Sequence, residues 1–190
     1  MSNLITYSIK TDEKIEVIRF SEDENIKRYE EVSIIYKDSD KEYILYTNDF
    51  IIEALLALQN LLIKAINGEL ELHSSLVEKG IGFLSNENFQ NSQGLVMIKG
   101  KEGEFWVGDK YLLWDSMNHQ TWIYNLNGEV AIEVTPTYKW HFEEPDKQSD
   151  EYLAYEDFRK NYKTCFIKTI TKNVAECWLS QCEDILKRLI

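Results

Sequence analysis

Cysteine, histidine, glycine and proline are all scarce in this chain of 190 residues, which has three cysteines, three histidines, eight glycines and two prolines. The cysteines Cys165, Cys177 and Cys182 are odd in number and fit no disulfide framework, so a reducing, cytoplasmic setting is expected. All three are expected to be small buried or half-buried apolar residues. The few glycines leave little for phosphate-cradling loops, and neither a G-x-x-x-x-G-K-[ST] nor a G-x-G-x-x-G pattern occurs. A G-x-S-x-G elbow is missing as well, and no cysteine sits in a strand-to-helix turn of that kind. Two carboxylates chosen from 33 acidic residues say little about a general acid and base. A zinc site built from Asp115, His119 and His141 would have no diagnostic spacing. No enzyme activity, metal or cofactor is therefore expected.

Long apolar runs are missing too. The longest, around residues 50–66, is interrupted by Glu53, Gln59, Asn60 and Lys64, which makes it too short and too polar for a membrane span. The opening MSNLITYSIKTDEKIEV has no basic segment followed by an apolar one, so no secretion signal is expected. Basic residues are outnumbered, 21 against 33 acidic, for a formal net charge of −12. A field of that sign repels nucleic-acid phosphates and anionic lipid heads and favours a basic protein as partner. Solubility alone also accounts for many acidic chains.

What is present is the material of a packed core: 44% hydrophobic and 13% aromatic residues. At this length a chain buries about two-thirds of its unfolded surface and needs no staples. One domain spanning 1–190 is expected, with internal halves 1–84 and 94–190 as an option. Segments 3–9, 14–20, 31–37 and 42–47 read as strands separated by the polar run 21–30. Thr47, Asn48 and Asp49 offer N-caps for a helix over 49–66, which ends at Gly68. Most of its circumference is apolar, so it should be the spine of the core, with Leu55, Leu58 and Leu62 buried and Lys64 and Asn67 exposed. LELHSSL suggests a short strand or turn, and SNENFQNSQG at 85–94 reads as a run of turn formers between the halves. Residues 94–135 read as an antiparallel meander, with Asn127-Gly128 as a hairpin turn. A short helix over 154–162, a strand at TCFIKTI and a helix over 172–189 follow. That last helix carries Val174, Trp178, Cys182, Ile185 and Leu189 on one seam and Thr171 or Asn173 as its cap. The fold class expected is α+β: mainly antiparallel sheet packed with a buried central helix and a C-terminal helix.

Two features rise above this background. Segment 143–157, EEPDKQSDEYLAYED, has a net charge of −6, half that of the whole chain. Such a run is either a solvated loop or a docking surface for Lys and Arg. Beside it lies a dense set of aromatics, most of them expected in the core, with Trp140-His141-Phe142 in an irregular stretch next to the acids. An aromatic flanked by charges is the make-up of a binding hot spot or of a plain loop anchor. The candidate partner-binding residues are Trp140, His141, Glu143, Glu144, Asp146, Asp150 and Glu151. Trp140 is expected to be partly buried, holding the loop onto the meander with the carboxylates facing out.

The stretch YLLWDSMNHQTWIYNLNGEVAIEVTPTYKW, residues 111–140, resembles segments of immunity proteins from bacterial polymorphic-toxin and contact-dependent growth inhibition systems. The resemblance covers about a sixth of the chain and carries over no site residues. It implies a small cytoplasmic protein that neutralises a cognate toxin domain, commonly a basic nuclease, by occluding its active site with carboxylates in place of substrate phosphates. The other readings are an adaptor or structural domain without a toxin partner, a ligand-binding module with Trp114 or Trp122 exposed on a concave face, and a hydrolase using Asp115 and His119.

Overall fold

Four strands open the chain and pair in sequence order as an antiparallel sheet: β1 (Ser2–Lys10), β2 (Glu13–Arg19), β3 (Glu31–Lys37) and β4 (Glu42–Phe50). The computed structural model describes residues 2–91, 96–100, 103–141, 148 and 150–190. Alternation decides which face of this sheet meets the core: Ile5 and Tyr7 on β1, Ile15 and Val17 on β2, and Val32, Ile34 and Tyr36 on β3 are all buried. The polar run 21–30 is a loop gathered around one guanidinium. Arg19 donates twice to Glu30, at 2.9 and 2.8 Å, and also to the carbonyls of Asp23 and Asn25.

Helix α1 (Ile51–Ile66) follows without the expected cap. Strand β4 runs on to Phe50, which precedes the helix and offers no side-chain bond. The reason is tertiary: the amide of Ile51 donates to the carbonyl of Glu30 at 2.9 Å, so the neighbouring loop satisfies a donor that a side-chain cap would otherwise take. Leu55, Leu58 and Leu62 are fully buried, while Lys64 and Asn67 are exposed. Gly68 ends the helix at φ 76, the left-handed conformation that glycine adopts at least cost. The helix packs against β4 on one side and against the second sheet and the C-terminal helix on the others.

Between residues 69 and 91 the structure departs from the sequence reading. Residues around LELHSSL and SNENFQ form two short helices, α2 (Ser74–Lys79) and α3 (Ile81–Gln90), rather than strand and turn. His73 caps α2, its Nδ1 accepting from the Ser75 amide. Gly80, at φ 84, turns the chain between the two helices. Gly82 lets α3 lie directly on the second sheet, because a side chain there would overlap Thr135 and the Tyr162 hydroxyl. Residues 92–94 of the expected boundary lie outside the described residues.

The expected meander is divided. Its first two runs form a separate hairpin, β5 (Met97–Gly100) with β6 (Gly103–Trp106), and residues Val107–Tyr111 are a helical turn, α4. The second sheet then forms from β7 (Leu112–Asp115), β8 (His119–Leu126), β9 (Glu129–Pro136) and, after the short helix α5 (Tyr155–Lys160), β10 (Phe166–Ile170), in the order β10-β9-β8-β7. Asn127 and Gly128, at φ 52 and 83, make the β8–β9 hairpin turn that their sequence demands. The sheet's inner face meets the first sheet, where Phe166 stacks 4.1 Å from Tyr36 and Lys168 pairs with Glu13 at 2.8 Å. Helix α6 (Lys172–Arg188) closes the chain over α1. Thr171 caps it through the Val174 amide, and Trp178, Cys182 and Ile185 of its seam are buried. Cys165 is half-buried and Cys182 buried, but Cys177 is exposed, because five residues of helix turn it away from the Cys182 seam.

The architecture is α+β with antiparallel sheets, and the buried residues of both sheets and of α1 and α6 join in a single cluster. No helix among the described residues is long and apolar enough to cross a membrane.

Candidate functional site

The segment after β9 is fixed by Tyr138. Its amide donates to Oδ1 of Asn86 on α3 at 2.8 Å, and its hydroxyl donates to the carbonyl of Leu153 at 2.8 Å. Its ring lies 5.0 Å from His141, 5.1 Å from Tyr155 and 5.3 Å from Phe158. Asn86 completes the link by donating to the carbonyls of Gly82 and Pro136. Tyr155 in turn donates to Glu87 at 2.8 Å, and Arg159 meets the same carboxylate at 3.0 Å. This ring cluster sets where the flanking carboxylates stand.

Trp140 and His141 sit in a single 3-10 turn, Lys139–His141, and both are half-buried. Trp140 is partly buried, as expected, and it meets the acidic segment at Tyr152. Its ring faces Tyr152 at 6.0 Å, with the Lys139 ammonium 4.9 Å over it, and Tyr138 two residues earlier supplies hydrogen bonds to Asn86 and Leu153. His141 belongs to the cluster, 5.6 Å from Phe89, and burial pulls its pKa below the ordinary value. Asp150 and Glu151 are exposed, as are Glu156 and Asp157. Glu143, Glu144 and Asp146 lie outside the described residues. The fold also brings cations to this acidic stretch: Lys139 pairs with Glu151 at 3.0 Å, Arg159 with Glu156 at 3.9 Å and Lys160 with Asp157 at 3.5 Å. These exposed pairs soften the local charge without adding much stability.

A second feature, which sequence reasoning missed, is a groove of about 890 Å³ between the α1–α2 connection, α2 and the outer face of the second sheet. Glu133 of β9 lies in its wall and is only 5% exposed. Its carboxylate accepts from the Tyr124 hydroxyl at 2.9 Å and from Thr164 Oγ1 at 3.3 Å. Burial raises its pKa above the ordinary carboxylate value, and the two hydroxyls offset only part of that rise. At the rim, Asn125 ties β8 to the end of α1 by donating to the Ala65 carbonyl at 2.8 Å. A signal for Glu133 existed in the sequence. The Asn-Gly turn sets Trp122 opposite Glu133 and Tyr124 opposite Ala131, so this glutamate shares a sheet face with two aromatics.

The remaining sequence candidates scatter. Trp114 and Trp122 are each 2% exposed, with their indole N–H groups donating to Ala54 and to Thr135, so neither lines a concave face. His119 rests on Tyr43 and against the Ile44 carbonyl, His73 caps α2, and His141 lies in the Tyr138 cluster. Among the described residues no three His, Cys, Asp or Glu side chains gather as a metal site would require. Set against known protein families, curated proteins and solved structures, the chain matches none of them.

Proposed function

We propose that this chain is a cytoplasmic protein-binding module, and that its partner is a basic toxin domain of the kind that immunity proteins neutralise. The observation that carries the reading is the ring cluster centred on Tyr138. It joins the end of β9 to α5 while leaving Asp150, Glu151, Glu156 and Asp157 exposed, and Lys139, which lies over the half-buried Trp140, pairs with Glu151. A half-buried aromatic with exposed carboxylates on the neighbouring segment and on α5 is suited to a surface rich in Lys and Arg. The chain's charge of −12 steers such a partner inward. The toxin identity rests on the resemblance of residues 111–140, and the cytoplasmic setting fits three unpaired cysteines. Inhibition would be by occlusion, with carboxylates standing where the toxin's anionic substrate would sit.

The test begins with the polypeptide encoded next to this gene, where the partner of an immunity protein is expected, and with capture on the immobilised chain. Association is then followed for a variant carrying Asp150→Asn, Glu151→Gln, Glu156→Gln and Asp157→Asn. The association rate should fall about tenfold at low salt, and the difference should close at high salt, where exposed charges are screened. Trp140→Ala should raise the dissociation rate instead. A captured partner whose association ignores all these changes sinks the proposal.

A further inference from the structure

We infer that the groove beside Glu133 is a binding site for an amphipathic organic cation: a small molecule with an amine head and an apolar body. Its volume, about 890 Å³, lies within the range of small-molecule sites, roughly 300–1,000 Å³. Its walls are mixed, with apolar surface from Leu72, Leu76 and Val77 on one side and from Leu126 and Ile167 on the other. Val77, Leu126 and Ile167 are 66%, 37% and 48% exposed, so three large apolar side chains left in water converge on one concavity. Scattered exposed hydrophobics need no explanation, but a contiguous set in a groove marks a place where something docks.

The chemistry of the head group follows from Glu133. It is almost fully withdrawn from water, and it is held by two neutral hydroxyls. Among the described residues no cation pairs with it, although buried carboxylates are ordinarily paired. A ligand ammonium would supply the missing counter-charge. Each carboxylate oxygen accepts one hydroxyl and keeps a lone pair for an N–H donor. Glu71 adds a second carboxylate to the lining, and Lys172 is the sole Lys or Arg there. With a net charge of −12 around it, an anionic head group would be repelled.

The experiment uses the full chain and a matched set of probes: phenylbutylamine, the corresponding alcohol and the corresponding carboxylate. Binding is measured by calorimetry and located by amide chemical-shift changes. The amine should bind at least about tenfold more tightly than the alcohol, the carboxylate should bind least, and the shifts should map to the groove. Glu133→Gln preserves the shape of the side chain and should bring the amine down to the affinity of the alcohol. Should that variant fail to fold, Ile167→Arg on the exposed rim should abolish amine binding while leaving the circular-dichroism spectrum unchanged. Trp140→Ala lies in the separate aromatic cluster and should leave amine binding untouched, which keeps this site distinct from the protein-docking surface. Equal binding of amine and alcohol, no binding of either at millimolar concentration, or an amine preference that survives in Glu133→Gln overturns the inference.

Discussion

Asn125 uses its whole side chain on the neighbouring helix end. Oδ1 accepts from the Leu70 amide at 2.9 Å and Nδ2 donates to the Ala65 carbonyl at 2.8 Å, while its own amide donates to the Leu70 carbonyl at 2.9 Å. Truncation to alanine leaves the Leu70 amide and the Ala65 carbonyl without these partners, so Asn125→Ala should cost about 1–3 kcal/mol in urea unfolding with an unchanged m-value. Asn86 does the same work for α3, meeting Gly82, Pro136 and Tyr138. Neither role was legible in the sequence. Asparagine reads as a turn former because its side chain competes for nearby backbone, and in both cases the partners lie fifty or more residues away for at least one bond. Glu133 stood closer to legibility, since the Asn-Gly turn fixes its register beside Trp122. Its place in the wall of a groove that α2 helps to line did not follow from that register.

Elements divide by whether their signal is local. The four N-terminal strands, α1, the β8–β9 hairpin and α6 carry two-residue or helical periodicity together with capping or turn residues, and all form where the sequence places them, to within a few residues. Helices α2 and α3 are short, rich in Ser and Asn, and begin at a histidine cap and at a glycine, so propensity alone argued for turns. Packing onto Thr135 and Pro136 overrides it. Hairpin β5–β6 was legible as two strands, but no local feature tells a hairpin which larger sheet to join. The orientation of α1 gives a direct check. Leu58 is fully buried and Leu56, two residues earlier, is 36% exposed. Leu58→Ala should cost about 2–5 kcal/mol and Leu56→Ala about 0.5 kcal/mol or little more, measured by the same denaturation. Equal costs would mean that the helix is enclosed all round.

At the scale of the whole molecule, protonation sets two opposed effects. A charge of −12 repels itself, and acidification relieves that repulsion as carboxylates protonate. Salt screens this contribution, so a titration at high ionic strength isolates the buried groups. Two half-buried histidines are among the groups it brings out. Burial lowers the pKa of His119 and of His141 below the ordinary 6.5. For His119, the contact with the Ile44 carbonyl opposes that burial only in part. In each case the unfolded chain takes up a proton at a higher pH than the folded one does. Their stabilising contribution is therefore complete above about pH 6.5 and is lost as pH falls from there through the folded pKa. Glu16 has the same sign further down: the Lys14 hydrogen bond, with help from Lys37, holds its carboxyl low, so its contribution disappears only in stronger acid. Glu133 has the opposite sign, because its raised pKa makes the folded chain the better proton acceptor between 4.5 and its own value. The histidine effect is separable by substitution. At high salt, the melting temperature of the parent chain should decline between about pH 7 and about pH 5.5, and His119→Gln should decline less steeply over the same window, whatever its absolute stability. Parallel curves would show that His119 takes up its proton equally well folded and unfolded, and that its place between Tyr43 and the Ile44 carbonyl carries no pH-dependent contribution.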